Sequence, residues 1–180
     1  MRLFINFLLF QFAWFSSVLG AANQVPLAGP AAVALVVGVH LYIAERPYSE
    51  FLLVLACGFI GAIFDSVLVT TGWVGYPAGM FTSTMAPYWI ITMWMSFATT
   101  LNVSMGWMQG RPWLAAVMGL IAGPLTYLAG AKLGGIQLLN QDAAFIALGL
   151  GWAVLMPILL MLSRRLNGMS YMSPAQMIQA

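Results

Sequence analysis

Residues 50–72, EFLLVLACGFIGAIFDSVLVTTG, decide the class of this chain. The run is long enough to cross a bilayer as one helix, since about 20 residues suffice. It nevertheless carries a carboxylate, Asp65, well inside its apolar length. At roughly 100° per residue, Gly58, Gly61, Asp65 and Gly72 fall on one helical face. Small residues on a single stripe let a neighbouring helix approach closely. Lipid offers a carboxylate no partner, so Asp65 is expected to face protein or a wet cavity.

The remainder has the same character. Of 180 residues, 62% are hydrophobic and 6% charged, with a mean hydropathy of +0.94. A soluble domain carries about a quarter charged residues, so this composition belongs in a membrane. Six basic and four acidic side chains give a formal net charge of +2, and they form no basic patch, so no nucleic-acid partner is expected. Cys57 and His40 each occur once. That excludes an intrachain disulfide, a thiolate metal site, bis-histidine haem ligation and HExxH zinc chemistry within one chain. Neither a Gly-x-Ser-x-Gly elbow nor a phosphate-cradling Gly-rich loop with Lys is present. No metal or cofactor is expected, and no recognisable enzyme motif stands out.

Outward from the Asp65 run, five further apolar runs can be marked. Residues 3–20 form the first, after Arg2. The Leu-Gly-Ala-Ala at 19–22 resembles a signal-peptidase site, but Asn6, Gln11 and Trp14 interrupt what should be a plain apolar stretch, which favours a retained helix. The second run, 27–44, ends at the charged turn Glu45-Arg46-Pro47. Ser49 is the expected cap of the Asp65 helix, with Glu50 at its positive dipole end. Residues 72–86, GWVGYPAGMFTSTMA, are uncharged and rich in Gly, aromatics and hydroxyls, which suits an interfacial or re-entrant segment. The fourth run, 87–107, places Thr92, Ser96, Thr99, Asn102 and Gly106 on one face. Arg111-Pro112 then breaks the chain. The fifth, 113–131, has Gly119 and Gly123 at close-packing spacing, Gly130 near the same face and Pro124 as a kink. The sixth, 143–162, ends at Ser163-Arg164-Arg165. Arg-Pro followed by an aromatic occurs at both 46 and 111, ahead of a Gly-containing helix each time, which raises a duplicated hairpin.

The expected fold is therefore all-α: one domain of six transmembrane helices over 1–166, followed by a polar, mobile cytoplasmic tail at 167–180. With both termini in the cytoplasm, Arg2, Arg46, Arg111, Arg164 and Arg165 lie inside and only Lys132 outside, as the positive-inside rule requires. Asp65 then sits in the outer half of the membrane, and His40 and Asn102 in the inner half.

Several short motifs together suggest a relationship: Asn6-Phe7, Phe10-Gln11, Trp14-Phe15, Gly20-Ala21, Asp65, Thr100-Leu101-Asn102 with Ser104 and Trp107, and Gly123-Pro124 with Tyr127. In these the chain, from its start to Arg165, resembles the bacterial membrane family catalogued as domain of unknown function 2878. The resemblance implies a small inner-membrane protein of a family without an assigned activity. It also implies relatives encoded beside enzymes that modify membrane fatty acids and resemble cyclopropane synthases.

Each candidate site residue has a functional and a structural reading. Asp65 is either a proton-carrying or headgroup-contacting acid, or a hydrogen-bonded tie between helices. Lys132 lies at the same membrane side, but it points away from the Gly119/Gly123/Gly130 face, so snorkelling to the headgroups is expected rather than an ion pair with Asp65. Asn102 with Thr99 and Ser96 could line a polar path, although interhelical hydrogen bonding is the simpler role. Asn6 and Gln11 are roughly 140° apart on their helix and cannot form one ligand face. His40 reads as a surface or packing residue. Glu45 and Glu50 read as solvated charge at a cytoplasmic turn, and Trp73, Trp89, Trp107 and Trp113 as an aromatic belt. The leading functional expectation is a lipid-related carrier, or an accessory subunit working with other membrane proteins of lipid modification. A lipid-modifying membrane enzyme with Asp65 as acid or base, and a small-solute or proton-coupled transporter, are the alternatives.

Overall fold

The computed structural model describes residues 2–169. Its helices are α1 (Arg2–Ala22), α2 (Ala28–Ile43), α3 (Pro47–Thr70), α4 (Tyr88–Leu101), α5 (Pro112–Lys132) and α6 (Gln141–Arg165). A two-residue strand β1 (Val74–Gly75) pairs antiparallel with β2 (Gln137–Leu138), Val74 opposite Leu138. The fold is all-α apart from this clip. Helices α1, α3, α5 and α6 are each long and apolar enough to cross a membrane, whereas α2 has 16 residues and α4 only 14.

Large apolar side chains cover the outside. Phe4, Leu8, Phe12 and Phe15 of α1, Phe59 and Ile63 of α3, and Ile146, Leu150 and Val154 of α6 are all exposed. Apolar cover on this scale is a liability in water and the normal condition in lipid. Inside, the small-residue stripes act as expected. A Cβ on Gly61 would overlap the indole of Trp94, and one on Gly58 would lie 2.8 Å from Met95. Across the bundle, Gly119 meets the backbone of Trp152 and Gly123 its indole. Gly130 instead faces Ile136, in the loop after its own helix. Pro124 sits within α5, which continues through it as one helix.

The two Arg-Pro sites start their helices in the same way. Arg46 (φ −124°, ψ 76°) and Arg111 (φ −119°, ψ 67°) both precede a proline in the first helical turn, since a residue before proline is driven out of the α region. The parallel extends further. Each of α3 and α5 packs a glycine on a tryptophan of the next helix, Trp94 or Trp152. These two indoles stack at 4.6 Å and 10°, and β1 after α3 pairs with β2 after α5. The α3–α4 and α5–α6 hairpins thus meet through the stacked tryptophans and the β1–β2 clip.

Three boundaries differ from the sequence expectation. Helix α3 begins at Pro47 rather than after a Ser49 cap, so Glu50 lies within its first turn. Helix α4 stops at Leu101 instead of 107, because the Thr100 carbonyl accepts the N–H groups of both Val103 (3.1 Å) and Met105 (2.8 Å) and curls the chain. Gly72 is not on the packing face. It turns the chain out of α3 with φ +68°.

The helices alternate between two ends of the bundle. One end gathers the α1–α2 turn, residues 71–87 and residues 133–140, where Gly79 packs near Pro26 and Gly135 against Val18. At the other end lie Arg2, Arg46, Arg111, Arg164, Arg165 and the chain as it leaves α6. There Arg2 reaches Met169, and Gly110 lies beside Arg164. Lys132 is exposed at the first end. Of the expected tail, Asn167, Gly168 and Met169 are buried at the arginine end. Residues 170–180 lie outside the described residues.

Candidate functional site

Two buried carboxylates divide the polar chemistry of the bundle. Both are on α3, fifteen residues apart, which is about 22 Å along a helix axis.

Asp65 is fully enclosed, as is everything that touches it. Its Oδ1 accepts from the hydroxyls of Tyr76 and Tyr127, each at 2.6 Å, and its Oδ2 from the Trp94 indole N–H at 2.7 Å. One side chain thereby ties α3 to α4, to α5 and to the uncharged segment after α3. The segment is held a second time where the Ala86 N–H donates to Ser66 Oγ (2.9 Å). Residues 72–86 are therefore not simply laid on the bundle. Tyr76 plugs it from above, and Trp89 is wholly buried with its N–H on the Ala78 carbonyl. Trp89 is not a belt residue, whereas Trp107 and Trp113 are exposed and suit that role; Trp73 is partly buried against the core. Lys132 makes no ion pair with Asp65: all the partners of that carboxylate are uncharged.

The second carboxylate was misread from the sequence. Glu50 is 0% exposed, not solvated charge. Its Oε2 lies 2.8 Å from His40 Nε2, and its Oε1 accepts from Asn102 Nδ2 (2.8 Å) and from the Gly168 N–H (2.6 Å). Behind it, Gln109 Nε2 donates to Asn102 Oδ1 (2.9 Å) and to Ser163 Oγ (3.0 Å). The chain leaving α6 closes the cluster: Arg46 donates its N–H to the Gly168 carbonyl (3.0 Å) and its guanidinium to the Asn167 carbonyl. A Cβ at Gly168 would overlap the Arg46 carbonyl, so only glycine fits there. His40 is 3% exposed and belongs to this buried network, so of the surface and packing roles expected for it the surface one falls away.

Of the other candidates, Asn6 is buried, donating to the Thr99 carbonyl (3.0 Å) and accepting from the Ser104 N–H (3.3 Å). Gln11 is half-buried on another face of α1. The hydroxyls of Thr92, Thr99 and Thr100 bond to carbonyls of their own helix, so they line no continuous path. Asn102 caps the end of α4 and leaves the Thr99/Ser96 stripe to join Glu50.

Beside this network, the structure opens a crevice of about 300 Å³ between α1 and α2, floored by the end of α4. At the opposite end the two helices are tight, because a Cβ on Gly29 would crowd Ser17. Towards the arginine end the walls are apolar (Ile5, Leu9, Val36, Val39, Ile43, Val103), and Arg2, Asn6, Thr99 and His40 are the polar residues in the lining. Ile5, Val39 and Ile43 are exposed on the outer surface, so the crevice borders whatever surrounds the helices. His40 connects network and crevice: Nε2 is held by Glu50, and buried Nδ1 has no hydrogen-bond partner.

With the geometry in place, comparison with known proteins gives one match. The model of the family described as protein of unknown function (DUF2878) matches residues 3–158. The chain belongs to this family. No curated protein and no solved structure matches it. The matched span takes in Asp65 with its three donors and the His40–Glu50–Asn102 group, and ends before Gly168.

Sequence reasoning missed Glu50, Gln109, Gly168 and the two tyrosines on Asp65. A usable signal existed for Glu50. A lone histidine in the last turn of one helix and a glutamate in the first turns of the next, joined by a three-residue turn, are at the same depth. Reading Pro47 as the first residue of a helix, a position proline favours, puts Glu50 inside it.

Proposed function

We propose that this protein is a six-span bacterial inner-membrane protein that holds a membrane amphiphile in the crevice between α1 and α2. In this reading it works without chemistry of its own, as a lipid-related carrier or as an accessory subunit for enzymes that modify membrane lipid. Six alternating helices, with five arginines at one end and Lys132 at the other, support a cytoplasmic arginine end. The short α2 and α4 suit a bundle that thins or locally adapts the bilayer. The carrying observation is the crevice itself: apolar walls, polar groups only at the arginine end, and a flank of exposed aliphatics that would meet lipid tails.

The test is native mass spectrometry of the detergent-purified protein. Wild type should carry an added mass identifiable as a membrane amphiphile. Val39→Trp, which fills the crevice from the exposed flank of α2, should lose it while keeping its melting temperature within a few degrees. A wild-type protein stripped clean under gentle conditions, or a Val39→Trp variant that keeps the mass, would remove the basis for the proposal.

A second reading, an enzyme acting on lipid, draws support from His40 rather than Asp65. A histidine with one nitrogen fixed by a buried carboxylate and the other free beside a cavity has the arrangement of a general base. Asp65 has both oxygens occupied by three donors and does not line the crevice.

A further inference from the structure

We infer that the crevice takes a single-chain amphiphile ending in a carboxylic acid, with its head bound between Arg2 and His40 Nδ1. This rests on the crevice reading above and adds the class of ligand. His40 and Arg2 would be binding residues, with Glu50 a positioning residue that acts through His40.

The orphan nitrogen of His40 is the deciding group. A buried polar atom without a partner is costly and rare, and His40 Nδ1 is one among the described residues. Glu50 accepts from Asn102 and from Gly168, so its remaining oxygen holds the Nε2–H of His40. The ring then presents Nδ1 as a lone pair when neutral and as a second N–H when protonated. A carboxyl group matches both states: the acid form donates to the lone pair and the carboxylate accepts from the N–H. An ester has no proton to donate and carries no charge.

Arg2 supplies the charge. It is the one Lys or Arg among the lining residues, and among the described residues its guanidinium donates to the Met169 sulfur alone, at 3.2 Å. Thioether sulfur is a weak acceptor, so a carboxylate displaces it readily. A fork of donors and an imidazole that line the same crevice suit a compact, singly charged, planar head. The crevice, about 300 Å³, lies at the small end of ligand pockets, which fits one chain better than the body of a two-chain lipid. Ile5, Leu9, Val36 and Val39 then line the path of the tail towards the tight Gly29–Ser17 contact.

The experiment uses the full chain in phosphatidylcholine nanodiscs with a diazirine-bearing hexadecanoic acid as the probe. Labelled peptides should come from residues 5–9 and 36–43. Unlabelled hexadecanoic acid should compete about tenfold better than its methyl ester, the factor expected of one charge-assisted hydrogen bond. His40→Gln keeps a donor for Glu50 but removes the second nitrogen. Arg2→Gln removes the charge at the start of α1 at the expense of one hydrogen bond, to Met169. Both should bring acid and ester to near parity, with the acid losing its roughly tenfold advantage.

Equal competition by acid and ester in the wild type would overturn the carboxylate assignment while the crevice reading stands. Stronger competition by lysophosphatidic acid would overturn it in favour of a phosphate head. A preference that survives Arg2→Gln, or that survives His40→Gln, would also overturn it. Labelling that avoids both peptides would bring down the crevice reading itself.

Discussion

His40 Nε2 and Glu50 Oε2 lie 2.8 Å apart across the α2–α3 turn, with the two side chains only 3% and 0% exposed. A charged pair so deeply enclosed is weak evidence of stability in itself, since desolvation offsets most of the attraction. Removing one partner is another matter. His40→Leu and Glu50→Leu should each destabilise the bundle by about 3–5 kcal/mol, because the remaining polar group stays buried without its partner. Detergent-solubilised thermal unfolding of the two single variants and the double variant measures this. The double variant should lose less than the sum of the singles.

Gly168→Ala should release the chain where it leaves α6. The added methyl overlaps the Arg46 carbonyl, and the donor to Glu50 moves away with it. Limited proteolysis should then cut after Arg165 in the variant and leave the wild type intact there. Equal resistance would show that the Gly168–Glu50 bond does not hold this segment.

The first helix should be retained in the mature protein. Its Asn6 is bonded to both α4 and the turn after it, and Gly20 and Ala21 are buried against the rest of the bundle. Intact-mass measurement should find the residues before Ala21 present. A mass that begins at Ala21 or Ala22 would show the signal-like site in use.

Reporter fusions should place both termini in the cytoplasm. Alkaline phosphatase should be inactive when fused at the C-terminus and active when inserted at Ser83, in the exposed part of the segment after α3. An active C-terminal fusion would reverse the assignment of the arginine end.

The fold was largely legible because bilayer-length apolar runs and glycine stripes are strong one-dimensional signals. Gly61 and Gly123 proclaim their contacts, though not that both would meet tryptophans stacked on each other. Asp65 announced a protein-facing carboxylate, but its donors come from three separate elements, and spacing along one helix cannot show that. Glu50 was hidden by its address. A glutamate beside a charged turn looks solvated until the proline one turn earlier is recognised as the helix start. The crevice had no signal at all, because it arises where two helices part, and only packing decides that.

His40 as a ligand-facing group and Asp65 as a tie are separated by one paired measurement: melting temperature beside retained amphiphile for His40→Gln and Asp65→Asn. All three neighbours of Asp65 donate to it, and an amide offers one acceptor oxygen where the carboxylate offers two. Asp65→Asn should therefore cost about 1.5–3 kcal/mol, and the protein that remains folded should keep its bound amphiphile at the wild-type level. His40→Gln should melt close to wild type and hold its acidic amphiphile about tenfold more weakly. The reverse pattern, with Asp65→Asn stable but empty and His40→Gln fully loaded, would contradict the account.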